Sequence, residues 1–226
     1  MDGYASANQT GDAYTKALKE NNVEIVENFE VSKINNSNNN YEIIDVHGKK
    51  INAKKIVLAA GVYLEKILKL LDISIKIKCF PQQLIVTERM PELLKTVITV
   101  AHGKLSLKQF ENGTVLIGGG WPGKGNIENG YNETIPENLI GNMRLACHAI
   151  PNLKNSRVSR VWLGLEAETD DAMPIIGELP NLKNAFIIGS IHSGYTSGPY
   201  MGKLLSEKIL GKDVDLSLFD IRRLMN

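Results

Sequence analysis

Cysteine is scarce: Cys79 and Cys147 lie far apart and form no CxxC. This argues against a disulfide framework or a cysteine-based zinc site, and makes a reducing cytoplasm the default compartment. Long apolar runs are missing, and none approaches the roughly 18 residues of a membrane helix. Met1-Asp2-Gly3 opens no basic segment followed by an apolar one, so no signal peptide is expected. An excess of charge of one sign is missing too. With 26 basic and 25 acidic side chains the net charge is +1, which argues against a nucleic-acid binder. No GxSxG and no internal repeat is present. What remains is an ordinary globular composition over 226 residues, 43% hydrophobic and 23% charged, enough for one large domain or two small ones.

Residues 9–22 read as a helix capped by Thr10, with Tyr14, Ala17 and Leu18 on one face. Val23 to Val26 reads as a short strand, and Phe29, Val31 and Ile34 continue extended. The polar tract Asn35 to Asn40 reads as a mobile hairpin loop, and a second hairpin is expected around His47-Gly48. Ile56 to Gly61 is apolar at consecutive positions, as in a parallel strand covered on both faces, and ends in small residues that allow close approach. A helix follows over 64–71. The middle is rich in alternating strands, with Asn112-Gly113 as a strong hairpin signal. Residues 118–131 read as a glycine-rich loop, 136–150 as a helix, 157–165 as a strand, 186–189 as a buried strand and 198–210 as a helix capped by Ser197. The fold class is therefore α/β, mixed with α+β: buried strands at both ends and an antiparallel block between.

Gly118 to Gly123 matches GxGxxG literally, but Pro122, Gly123 and Gly125 forbid the helix that a phosphate cradle requires. Gly194 to Pro199 is either an anion-binding helix start or an ordinary cap. His192 leaves a buried strand as a structural residue or as a base that would need a positioned partner. Glu166, Glu168, Asp170 and Asp171 read either as a metal or acid–base cluster or as a solvated acidic turn. Lys104, Ser106 and Lys108 share one face of a strand. No catalytic base and no metal ligand is assigned.

Several segments, taken in order, resemble the D-amino-acid oxidase-like (DAO) family of FAD-dependent oxidoreductases, of the glycine oxidase and sarcosine oxidase beta-subunit type. They are Asp2-Gly3-Tyr4, Val23 to Ile34, Ile56 to Gly61, Gln83 to Glu88, Gly113 to Gly119, Arg160 to Leu165, Thr169 to Gly177 and Gly189 to Pro199. The resemblance implies a partial FAD-binding Rossmann-like domain (1–75 and 161–226) interrupted by an antiparallel-sheet substrate domain (76–160). The N-terminal unit with the true GxGxxG is expected to precede Met1, so a second chain supplying that half is a possible partner. FAD is the implied cofactor. Implied cofactor contacts are Val31, Ala59, Ala60, Gly61, Gly189, His192, Ser193, Gly194, Tyr195 and Thr196. Implied pocket residues are Ser106, Lys108, Glu166 and His192. Glu166 stands where relatives that bind a substrate carboxylate carry an arginine, and Asp171 matches a structural acid. The implied reaction takes a hydride from the carbon next to a substrate amine to flavin N5, leaving an imine that hydrolyses. The substrate is then a small amine or amino acid. The other reading is a non-catalytic binding or assembly subunit, with no nucleic acid or membrane partner, in the cytoplasm.

Overall fold

Alternation with period two dominates the middle of the chain, and the computed structural model shows what it builds. Residues 4–38, 40–101, 103–126, 131–190 and 194–225 are described, without the side chains of Asn126 and Tyr131. The chain runs through α1 (Ala7–Glu20), β1 (Val31–Ser37), β2 (Asn40–Asp45), β3 (Lys50–Ala53), β4 (Ile56–Leu58) and α2 (Leu64–Lys69). Then come β5 (Lys78–Arg89), β6 (Ile98–Thr99), β7 (Ser106–Gln109), β8 (Thr114–Gly118), β9 (Lys124–Asn126), β10 (Tyr131–Glu133) and α3 (Pro136–Ala149). β11 (Val158–Glu168), β12 (Ile175–Glu178), β13 (Ala185–Gly189) and α4 (Gly194–Ile209) complete it. These elements form two units, 1–27 with 81–164 and 28–80 with 165–226. Residues 1–27 thus join the antiparallel block, whereas the sequence reading grouped them with the cofactor half.

In the first unit a five-stranded sheet is ordered β11-β5-β8-β7-β6. Its inward positions Ile85, Leu107, Val115 and Ile117 form a core with Ala146 of α3 and with Leu153. The alternate positions, Val86, Lys108, Leu116 and Trp162, line the opposite side. One face buried and one open is the usual consequence of strict alternation in an antiparallel sheet. The β7–β8 hairpin turns at Asn112-Gly113. Gly113 has φ +88°, and a Cβ there would meet the Met90 carbonyl at 2.7 Å. Only glycine takes that geometry without strain.

In the second unit β1-β2-β3 form an antiparallel meander, and a separate sheet is ordered β12-β13-β4. β13 pairs with β4 in parallel and with β12 antiparallel. Tyr41, Leu58, Leu64, Leu68, Ile187 and Ile221 share one core. Ile176, Phe186 and Leu205 form another beneath α4.

Several sequence expectations are corrected. Ser6, not Thr10, caps α1, accepting from the Gln9 N–H at 3.4 Å. Residues 23–26 form no strand and are largely exposed, because no neighbouring strand among the described residues pairs with them. The hairpin expected at the asparagine tract is present, but its loop is shorter than the tract: β1 runs to Ser37 and pairs with β2 from Asn40, and Asn38 in the turn has φ +52°. Asparagine tolerates that left-handed conformation better than most residues. Ile75 to Ile77, which reads as a short strand from its alternating apolar residues, forms none. Part of the 118–131 loop pairs instead as the β9–β10 ribbon. Ser197 lies within α4 rather than capping it. β4 is parallel as expected, yet Val57 is 44% exposed, so only the Ile56 and Leu58 face is covered.

Candidate functional site

In the first unit an open cleft of about 1490 Å³ lies between α1, the segment leading into it and the outward side of the sheet. Lys108 projects into it, half-buried, because β7 alternates and Leu107 and Gln109 take the inward positions. Its ammonium lies 5.3 Å from the Tyr4 ring centroid and 5.4 Å from that of Phe110. The two rings meet edge-on, 5.7 Å apart at 89°. A cation over two ring faces is attracted by their quadrupoles and keeps its charge toward the cleft. The Tyr4 hydroxyl donates to the Gln109 carbonyl at 2.9 Å, which ties the chain before α1 to β7. Val86 and Leu116 provide apolar floor, and Arg160 and Trp162 line the β11 side. Ser106 shares the Lys108 side of β7 two residues away but does not line the cleft.

The β7 strand is locked from beneath by Gln109. Its Oε1 accepts from the Leu93 N–H at 2.7 Å and the Leu94 N–H at 3.1 Å. Its Nε2 donates to the Pro91 carbonyl at 2.9 Å and the Gly113 carbonyl at 3.0 Å. The GxGxxG match after β8 supports the sheet instead of a phosphate. Gly119 has φ +120°, and a Cβ there would meet the Leu105 N at 2.4 Å. The Trp121 indole N–H donates to the Lys104 carbonyl at 2.5 Å. The chain then continues into the β9 ribbon, with no helix to meet a pyrophosphate.

In the second unit the parallel register pairs Ile187 with Leu58. The ends of β4 and β13 therefore open on the same edge of the sheet, bringing Ala59, Ala60 and Gly61 alongside Gly189. Gly61 has φ +54°, and the space a Cβ would enter is open. Gly189 is the opposite case, because a Cβ would run into Leu64 at 2.4 Å. Ser190, the next residue, is only 3% exposed and has φ +49°. Its Oγ is buried without a partner among the described residues, and such a group calls for one. An orphaned donor beside an open backbone edge fits a polar cofactor. Val31 packs on the same core as Ala60, from β1. Gly194, Tyr195 and Thr196 form the first turn of α4. His192 and Ser193 lie outside the described residues.

The acidic turn has a structural explanation. Asp171 Oδ1 accepts from the Thr169 hydroxyl at 2.8 Å and the Met173 N–H at 3.1 Å. Arg223 Nε donates to Asp171 Oδ2 at 2.7 Å, and its Nη2 donates to the Met173 and Pro174 carbonyls at 2.9 and 3.0 Å. The Arg223 guanidinium holds the Asp171 carboxyl far below the usual carboxylate range, against desolvation that pushes it up; the Thr169 hydroxyl and Met173 N–H add to the lowering. Asp170 pairs with Lys78 at 2.8 Å. Among the described residues no group of acids, histidines and cysteines is arranged to hold a metal ion. Glu166 is half-buried within β11 and already engaged by another group.

Tyr4, Phe110, Arg160, Trp162 and Ser190 were not singled out individually from the sequence. Arg160 and Trp162 carried a usable signal: they stand two apart on a strand, flanking an inward Val161. Ser190 carried none, since only the fold buries it.

The family model described as "DAO: FAD dependent oxidoreductase" matches residues 1–208. Hydrogen cyanide synthase subunit HcnC of Pseudomonas protegens is 30% identical over 212 residues, 90% of this chain and 49% of that protein. Glycine oxidase from Geobacillus kaustophilus is 22% identical over 226 residues, and its crystal structure superposes with a TM-score of 0.78 over 89% of this chain and 54% of that one. L-Proline dehydrogenase from P. horikoshii superposes with a TM-score of 0.82 at 24% identity, over 94% of this chain and 58% of that one. The chain spans about half the length of the curated relatives it matches. With the match covering nearly all of its residues, the chain belongs to the DAO family of FAD-dependent oxidoreductases.

Proposed function

We propose that the chain is the C-terminal part of an FAD-dependent enzyme that oxidises a small amine or amino acid at the carbon next to nitrogen. The observation that carries this reading is Lys108, held between Tyr4 and Phe110 in an open cleft of the sheet unit. Ala59, Ala60, Gly61 and Ser190 are the residues that would hold the cofactor, with Gly189 and the first turn of α4 beside them. FAD, when bound, supplies the acceptor for the hydride that leaves the substrate carbon, and hydrolysis of the resulting imine completes the reaction. The chain's own residues bind and orient. Lys108 takes a substrate carboxylate, and the Tyr4 and Phe110 rings displace part of the water around it and so strengthen that attraction. The start of α4 carries the positive end of a helix dipole, which favours negative charge near it.

The share of the relatives that the chain spans supports a second element of the reading: another polypeptide segment, in cis or in trans, completes the cofactor site. HcnC, a relative, is named as a subunit of an assembly.

The test is Lys108→Met in the flavin-loaded protein. KM for an amino acid is expected to rise about tenfold, the scale of one well-placed ion pair. The visible flavin spectrum and the turnover of amines lacking a carboxylate should stay unchanged. An unchanged KM would remove Lys108 from the substrate site. Glu166→Arg tests the other expected pocket position. If Glu166 faces the substrate, the preference shifts from neutral amines toward amino acids; an unchanged preference places it elsewhere.

A further inference from the structure

Lys108 owes its direction to a residue far from it in the chain. Among the described residues the groups that hold its ammonium are two rings and no carboxylate. Phe110 stands two positions on along the same extended run, so it falls on the same side of the sheet. Tyr4 is brought there by a gap in the sheet. The Phe110 N–H donates to the Thr114 carbonyl of β8 at 2.9 Å. Backbone groups of neighbouring strand residues point to opposite edges, so those of Gln109 point away from β8. β6 lies on that edge, but it pairs only with Leu107 and Ser106 and reaches no further. The Gln109 carbonyl is thus left without a strand partner among the described residues, and the Tyr4 hydroxyl takes it. That hydrogen bond fixes the Tyr4 ring edge-on to Phe110, beside the ammonium of Lys108. A lysine on a free four-carbon stem spreads over many rotamers. Between the two rings its ammonium is kept in one place.

From this arrangement we propose that Tyr4 is a positioning residue: it aims Lys108, and through Lys108 it sets the preference for substrates that carry a carboxylate. The inference rests on the reading of Lys108 as the carboxylate site and adds the residue that makes that site selective. Tyrosine serves because it supplies two things. Its ring attracts the cation, and its hydroxyl anchors the ring to the sheet edge. Phenylalanine keeps the ring and frees it, and leucine removes both. Tyr4 is 41% exposed and belongs to none of the buried cores, so neither change threatens the fold. A residue that merely supported the sheet would affect every substrate alike. One that works through Lys108 matters only where Lys108 has an anion to bind.

The placing of Lys108 is read by proton NMR of the chain itself, with Lys108→Met identifying the signals of its ε-methylene group. Beside two aromatic rings these signals are displaced from the ordinary lysine position. Tyr4→Leu is expected to return them most of the way and Tyr4→Phe part of it. Signals that stay in place in Tyr4→Leu overturn the inference. The consequence is read in the flavin-loaded protein. Tyr4→Leu is expected to raise KM for an amino acid about fivefold relative to KM for an amine without a carboxylate, the scale of a cation–π contact at a partly exposed site. Tyr4→Phe should recover part of that difference. In the Lys108→Met background Tyr4→Leu should add nothing, because the two side chains share one interaction. A rise equal for both substrates, or one that persists in full without Lys108, overturns the inference. A raised KM in Lys108→Met beside an unchanged one in Tyr4→Leu also overturns it and leaves the carboxylate site standing. An unchanged KM in Lys108→Met overturns both.

Discussion

Gln109→Ala is expected to destabilise the sheet unit by about 3 kcal/mol, because it strands one buried and one partly buried N–H donor as well as deleting their acceptor. Gln109 is 8% exposed, and its amide satisfies Leu93, Leu94, Pro91 and Gly113 at once. At 8% exposure little solvent is available to replace these hydrogen bonds, and alanine leaves a void as well. Chemical denaturation measures the loss. Glu reproduces the acceptor but not the donor, so Gln109→Glu should recover only part of it at neutral pH. A Gln109→Ala variant as stable as the parent would mean that the segment before β6 is held by something else. The substitution also bears on the site, since Lys108 is the adjacent residue of the same short strand.

Asp171→Asn is expected to remove about 2 kcal/mol, a figure kept low because the ion pair is partly exposed. Asparagine keeps one acceptor for Thr169 and Met173 but loses the charge that Arg223 embraces. The same contact predicts an acid limb. The folded carboxyl titrates far below its ordinary value near 3.9. Its contribution is therefore present above that ordinary value, and it is lost progressively as pH falls from there toward the folded one. In the asparagine variant the acid limb should flatten. If both proteins lose stability in parallel between about pH 5 and 2, the carboxylate does not couple to folding as described. Arg223→Ala should mimic the loss, and the double variant should lose less than the sum, because the two side chains share one interaction.

Periodicity was the readable part of this chain. β7, β8 and β11 follow from alternation, and the turn at Asn112-Gly113 follows from the positive φ that glycine accepts there. Lys108 was legible for the same reason: a polar residue in an alternating strand falls on the open side. Val23 to Val26 misled because β-branched residues signal a strand only if another strand is there to pair, which local sequence does not specify. Ser6 outranked Thr10 because the cap is set by where the chain enters the helix, and both residues satisfy the chemistry. The pairing of Asp171 with Arg223, 52 residues on, was beyond any local pattern. The contribution of Tyr4 was hidden for the same reason, since it depends on a hydrogen bond to a residue 105 positions away.

β4 has a consequence for how copies of the chain meet. Among the described residues it pairs only with β13, so one side of Ile56-Val57-Leu58 keeps its backbone donors and acceptors unpaired. An unpaired apolar edge is a template onto which another extended segment can add. Lys54 and Lys55 stand at its mouth, both exposed, with Lys55 Nζ donating to the Ile209 carbonyl at 2.9 Å. Two molecules approaching edge to edge bring like charges together before any backbone hydrogen bond forms. In the chain by itself, Lys54 and Lys55 are therefore expected to oppose edge-to-edge pairing of two copies, an opposition that fades as salt shortens the range of the repulsion below about 8 Å, and a segment that completes the cofactor unit has to meet the same two charges.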